Sequence, residues 1–187
     1  MNQQQEIHVW DPMVRLFHWI LVTAFAVAFL TEDDWMTLHS YAGYVIVGLL
    51  LFRLVWGLIG PRYARFSDFV KSPATVIGYL KDLAKFRAPR FIGHNPAGGA
   101  MIVALLLSLI ATCVTGLFAY GSVGSGPLSS LFLSQSTYGS EWLEEVHEFF
   151  ANFTLLLVVV HLSGVAFESL LHKENLVRSM FTGIKRA

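Results

Sequence analysis

Two histidines, His147 and His161, stand fourteen positions apart in the stretch WLEEVHEFFANFTLLLVVVHLSGVAFESLL, residues 142–171. A neutral imidazole offers one ring nitrogen as a donor and is the commonest protein ligand for metals. On a helix, fourteen residues advance roughly 21 Å and fall about 40° short of whole turns, so both rings face one way at different depths. Two more histidines, His18 and His39, lie in or at the start of other apolar runs. Ligands stacked at that separation predict two cofactor sites stacked along one long helix.

The elements that must position them read as membrane spans. The chain has 187 residues, 55% of them hydrophobic and only 14% charged, with 15 Phe and 5 Trp. Soluble domains carry about 25% charged residues, so a single membrane domain over 1–187 is expected. Apolar runs at about 13–30, 39–59, 99–120 and 142–171 are each long enough to cross a bilayer. The first also has features of a cleaved signal peptide, with Arg15 ahead of Ala24, Ala26 and Ala28, but the histidine inside it fits a ligand-bearing span better. Gly60-Pro61 ends the second span. In the connection over 61–98, Ser72-Pro73 reads as a helix cap followed by proline at the first helical position. Val76, Ile77, Leu80, Leu83 and Ala84 then recur at helical spacing, opposite Lys81, Asp82 and Lys85. That pattern suits a short amphipathic helix, lying in the interface or packed on the span ends. The expected fold is all-α, a membrane four-helix bundle with one short cytoplasmic interfacial helix.

Charge orients the bundle. All 13 Lys and Arg fall in the N-terminal segment, at the far end of span two, in the connection after it, or in the tail 172–187. With four spans these are on one side, and the positive-inside bias makes that side, with both termini, cytoplasmic in a bacterial inner membrane. The other side carries Glu32, Asp33, Asp34, Glu141, Glu144, Glu145 and Glu148. The four later Glu residues fall in the first turns of span four, where they suit the helix dipole.

In this orientation the histidines sort by depth into an inner pair, His18 with His161, and an outer pair, His39 with His147. Each pair comes from two helices and so can clamp a flat ring from both faces. Bis-histidine haem b fits that arrangement better than zinc, which usually takes three or four protein ligands around one point. The lone cysteine, Cys113, excludes an internal disulfide and a C-x-x-C-H attachment site. Interhelical hydrogen bonding is the ordinary alternative for any one of these histidines. One tension remains in the pairing: His161 lies about ten residues before the end of its run and His18 only about five into its own. Pairing requires span four to project beyond the bilayer, or span one to begin before Met13. Arg53 is fourteen positions after His39, and Arg15 is one turn before His18. Both are candidates for the propionates of an inner haem, with interfacial snorkelling as the alternative. Gly43, one turn after His39, and Gly164, three residues after His161, would let a macrocycle approach the backbone. His8, His94 and His172 read as solvated or interfacial.

The segments VWDPMVRLFHW (9–19), HSYAGY (39–44), FRLVWGLIGPRYARFSDFV (52–70), GHNPAGGAM (93–101), the paired histidines of span four and the tail HKENLVRSMFTGIKR (172–186) together resemble the bacterial cytochrome b561 family. That family is related to the b-type membrane subunits of nickel-iron hydrogenases and formate dehydrogenases. The resemblance covers nearly the whole chain and implies a four-helix bundle with two non-covalent b haems. It implies His18, His39, His147 and His161 as ligands, from the first, second and fourth spans.

The function implied is electron transfer across the membrane between the quinone pool and a redox partner, such as a periplasmic c-type cytochrome drawn by the acidic outer rim. Arg53, the 61–99 connection and the tail are the inner candidates for a quinone site; Trp35, Glu144 and Glu148 are the outer ones. The alternative within the family is an oxidoreductase that reduces quinone with a small periplasmic reductant such as superoxide, an anion the acidic rim would repel. A haem-free transporter is the remote alternative, since the spans hold no mid-membrane carboxylate relay. Membrane lipid is the surrounding partner, and no nucleic acid is expected.

Overall fold

The computed structural model describes residues 6–32, 35–132 and 137–187, with the side chains of 137–140 excepted. Asp33 and Asp34 of the acidic link, and residues 133–136 of the Gly/Ser-rich loop, lie outside the described residues. After a three-residue strand β1 (Glu6–His8), the chain forms α1 (Pro12–Leu30), α2 (Met36–Ile59), the single turn α3 (Phe66–Phe69) and α4 (Pro73–Ala84). It continues through α5 (Pro96–Ser122), α6 (Thr137–Leu171), α7 (Leu176–Thr182) and strand β2 (Ile184–Arg186). Four of these helices are long and apolar enough to cross a membrane: α1, α2, α5 and residues Glu141–Leu171 of α6. The fold is the all-α, four-span bundle expected from the hydropathy pattern.

Three helices open in one way. Asp11, Ser72 and Asn95 cap α1, α4 and α5 by accepting backbone N–H bonds, and Pro12, Pro73 and Pro96 follow. Proline is tolerated there because its missing N–H would be unpaired in any case. Hydropathy alone therefore starts α1 one residue late, at 13, and α5 three residues late, at 99. The acidic rim needs a larger correction. Since α6 begins at Thr137, Glu141, Glu144, Glu145 and Glu148 lie beyond the first turn, where the dipole's influence has faded. At 35 residues α6 is about 52 Å long, well beyond the roughly 30 Å hydrocarbon core.

The bundle is two helix pairs. α1 packs on α2 and α5 packs on α6, with α2 and α5 joining the pairs. Phe17, Ala24, Ile46, Leu50, Leu106 and Leu109 form the apolar centre between α1, α2 and α5. The α5–α6 seam is polar at its middle. Ser108 Oγ lies 2.6 Å and Thr112 Oγ1 3.1 Å from Thr154 Oγ1, and Thr154 is fully buried. Thr154 stands seven residues from each α6 histidine, so this hydroxyl knot ties the helices midway between them.

Both termini lie at the same end of the bundle, where β1 and β2 pair antiparallel, Ile7 opposite Lys185. This two-stranded ribbon is an addition to the helical expectation. The segments around it are locked by a buried charge cluster: Glu174 takes Arg90 at 3.0 Å and Lys185 at 3.3 Å. Burial alone would raise the Glu174 carboxyl, but the two cations hold it below its ordinary value. α4 contributes Tyr79, buried, whose hydroxyl donates to Glu168 Oε1 at 2.7 Å, while Ile77 and Leu80 stay exposed. The helix thus turns Tyr79, with half-buried Val76 and Leu83, inward and leaves Ile77 and Leu80 outward.

Candidate functional site

The histidine stripe of α6 faces α5 and the α1–α2 pair. At the end away from the termini, here called distal, His147 meets His39 with ring centroids 6.0 Å apart and planes at 88°. His39 Nδ1 lies 2.8 Å from the Ala28 carbonyl of α1, and His147 Nδ1 lies 3.0 Å from the Thr112 carbonyl of α5. A carbonyl can only accept, so both Nδ1 atoms carry the proton and Nε2 keeps a free lone pair on each ring. Two metal–nitrogen bonds of about 2 Å, with ~1.2 Å from each nitrogen to its ring centre, would set two imidazoles on one metal roughly 6.4 Å apart. The observed separation matches that span.

At the proximal end, nearer the termini, lie His18 of α1 and His161 of α6. A ring-to-ring approach is seen for the distal pair, His39 and His147. α6 runs on past His161 to Leu171 in the proximal cap, where Glu168 accepts from the Tyr79 hydroxyl and lies 3.2 Å from His172, and Phe167 lies 5.6 Å from Phe86. Around this pair the polar atoms are less settled. Arg15 Nε, His18 Nδ1, Trp19 Nε1 and His94 Nδ1 are buried without a hydrogen-bond partner among the described residues.

The two arginines differ. Arg15 spans to the tail, donating to the Phe181 carbonyl. Arg53 is buried at 4% exposure, donating to the Ala64 carbonyl at 3.0 Å beneath the Phe66 and Phe69 rings. Ordinary snorkelling does not describe so enclosed a guanidinium. Gly43 and Gly164 have nothing within 4 Å of where a Cβ would stand, and Gly164 is exposed. His8 sits exposed in β1, opposite Ile184, and His172 faces Glu168 at 3.2 Å. His94 overturns its solvated reading. Its ring packs 4.5 Å from Trp10 and 5.0 Å from fully buried Phe69. Burial, followed by the charges of Arg53, Lys185 and His161, pushes it down to about 3. Of the quinone candidates at the distal end, Trp35, Glu144 and Glu148 are exposed.

Among the described residues no three His, Cys, Asp or Glu side chains converge as they would around zinc. His39 and His147 present two rings from two helices with their centroids 6.0 Å apart. A model of the prokaryotic cytochrome b561 family matches residues 9–183. The chain belongs to that family. This b561-type cytochrome is accordingly a multi-pass membrane protein of electron transport that carries haem b. It is similar to a probable Ni/Fe-hydrogenase B-type cytochrome subunit of Rhizobium leguminosarum bv. viciae, 24% identical over 97% of this chain and 89% of that protein. The corresponding subunit of Cupriavidus necator is 24% identical over 95% of this chain and 86% of its own length. The Ni/Fe-hydrogenase 1 B-type cytochrome subunit of Escherichia coli K12 is 28% identical over 60% of each chain. No solved structure matches the cytochrome.

The residues fit haem on their own evidence. The distal rings stand one metal's width apart, their tautomers leave Nε2 free, and Gly43 opens the α2 backbone one turn from His39. Sequence reasoning passed over Ala28, Thr112, Thr115 and Gly116, which touch the ligands or their partners. A backbone carbonyl leaves no mark in sequence. The Thr112-x-x-Thr115-Gly116 run in an otherwise apolar span was the available signal.

Proposed function

We propose that this cytochrome holds two b haems per chain, His39 and His147 clasping the distal one and His18 and His161 the proximal one. The observation that carries the reading is the distal pair, two perpendicular rings 6.0 Å apart with both Nδ1 protons committed to backbone carbonyls. Such outer hydrogen bonds orient ligand rings and raise their basicity. Bound haem supplies one-electron iron chemistry, and the α6 stripe spaces the two ligand levels by roughly 21 Å along the helix. Arg15 and Arg53 stand at the proximal level to take propionates, since a guanidinium pairs well with carboxylate.

The direction across the membrane follows from charge. The basic residues gather at the terminus end, which supports cytoplasmic termini and an inner-membrane location. Exposed Glu32, Glu141, Glu144 and Glu145 then mark a periplasmic distal end. The named relatives are subunits of nickel-iron hydrogenases, which favours a redox enzyme as the distal partner over a small c-type cytochrome. A quinone fits best at the proximal end. Trp19 Nε1 and His94 Nδ1, without partners among the described residues, are there, and from Trp19 an apolar groove of about 510 Å³ runs between α1 and α2 toward Val27 and Leu38, which suits an isoprenoid tail.

A pyridine haemochrome assay on the purified protein should count two haem b per chain. One or none would overturn the di-haem reading. Reduction of both haems by a quinol, blocked by a quinone-site inhibitor, would support the proximal site. Rapid reduction by superoxide alone, with quinol inert, would favour the superoxide oxidoreductase.

A further inference from the structure

Helix α5 supplies no ligand and no charge, yet His147 lies directly against it. A Cβ built on Gly116 would stand 2.8 Å from His147 Cε1, 3.0 Å from Nδ1 and 3.4 Å from Nε2. The imidazole therefore rests face-on in a notch that only glycine leaves open. One turn away, the Thr112 carbonyl takes the Nδ1 proton at 3.0 Å, and Thr115 Oγ1 lies 3.4 Å from the same nitrogen. The Thr115 hydroxyl proton is committed to the Ala111 or Thr112 carbonyl, at 2.8 and 3.0 Å, so this oxygen can meet Nδ1 only as an acceptor. Two acceptors and no donor face Nδ1, which excludes the other tautomer.

We propose that α5 is the positioning helix of the distal haem, with the Gly116 notch fixing the plane of the His147 ring and the Thr112 carbonyl and Thr115 hydroxyl fixing its tautomer. The inference rests on His39 and His147 being the ligands of that haem. Its content is the orientation rather than the presence of the ligand. With the ring seated on Gly116, rotation about the Cβ–Cγ bond is blocked on one side, and the plane stays near-perpendicular to His39, at 88°. Among the described glycines, none has a proximal histidine among the atoms nearest its Cβ position. The α5 glycines at that end, Gly98 and Gly99, would place a Cβ against Asn95 and Phe69 instead of His161.

The angle between two axial imidazole planes governs the anisotropy of a low-spin ferric haem, so EPR reads it directly. Gly116→Ala should leave two haems per chain and move one of the two ferric low-spin signals toward a less anisotropic form, leaving the other in place. Gly78→Ala, on α4 with open space around it, should move neither. Two unchanged signals in a Gly116→Ala protein that retains both haems would overturn the role of α5 while leaving the di-haem reading intact. If Gly116→Ala loses the distal haem, Thr115→Val decides. A displaced distal signal restored by Thr115→Ser supports the proposal, and an unchanged one overturns it. A wild-type protein without haem would overturn the ligand reading and this inference together.

Discussion

The distal and proximal histidine pairs share helix α6 but are built differently. At the distal end each ring is fixed by a carbonyl of a neighbouring helix, Ala28 for His39 and Thr112 for His147. Helices α1, α2, α5 and α6 all converge there through backbone atoms that cannot move far. At the proximal end His18 Nδ1 has no partner among the described residues, and its ring lies 4.9 Å from Trp19, which stacks on Phe181 of the tail. The distal site is thus set by helix packing, the proximal one by a cap of loops, a ribbon and ion pairs. A rigid site suits a fixed electron relay. A site enclosed by separable segments suits exchange with a diffusing molecule.

Removing one histidine of α6 at a time should separate the two ends most. His147→Ala should halve the haem content by losing the distal haem, and His161→Ala should lose the proximal one, as counted by pyridine haemochrome. Loss of both haems from either single variant would mean the two levels are not independent. Next in size is Gly99→Ala. Its Cβ would stand 2.3 Å from the Phe69 carbonyl oxygen, backbone that cannot step aside. Overpacking of this kind costs about 1–3 kcal/mol, so the thermal midpoint should fall and the proximal haem should be lost first. Thr154→Val should act on both levels alike. It strands the buried Ser108 hydroxyl midway between them and costs about 1–3 kcal/mol in thermal unfolding, with haem content kept.

Acid should separate the two ends. The His94 ring is held down to about 3 by burial and nearby cations, against an ordinary 6.5. The unfolded cap binds a proton below 6.5 while the folded cap resists it until about 3, so cap stability falls as pH drops through that window. Glu174, a carboxyl held below its ordinary value, loses its stabilisation in the same direction as pH falls through its depressed folded value. Hydrogen exchange should therefore accelerate in residues 6–10, 88–95 and 184–186 on acidification, before the distal ends of α1 and α6. His94→Leu should flatten the response between pH 6.5 and 4. The smallest effect belongs to Tyr79→Phe, which removes one hydrogen bond to Glu168 and should cost about 0.5–1.5 kcal/mol, confined to the proximal cap.

Much of this was legible from residue types and spacing. Apolar run length located four spans within a few residues, and the fourteen-residue interval put two imidazoles on one face. The missed helix starts were legible too, since Asp11-Pro12 and Asn95-Pro96 repeat the signature visible at Ser72-Pro73. His94 was misread because a histidine between Gly93 and Asn95-Pro96 looks like a loop residue. Its burial depends on Trp10 and Phe69, distant in sequence. The α5 helix was passed over because ligand chemistry was sought in titratable side chains, while its contribution is a carbonyl, a hydroxyl and a missing Cβ.

By itself the sequence determined what one-dimensional patterns can encode. These are the number of spans, the segregation of cations to one end, and the depth at which each histidine stands, because helical rise and hydropathy are local properties. Only the tertiary structure decided which carbonyl takes each Nδ1 proton, that the His147 ring lies on Gly116, and that the termini close over the proximal pair as a ribbon. These are contacts between residues far apart in the chain. They are made largely by backbone atoms that every residue carries, so packing alone selects them.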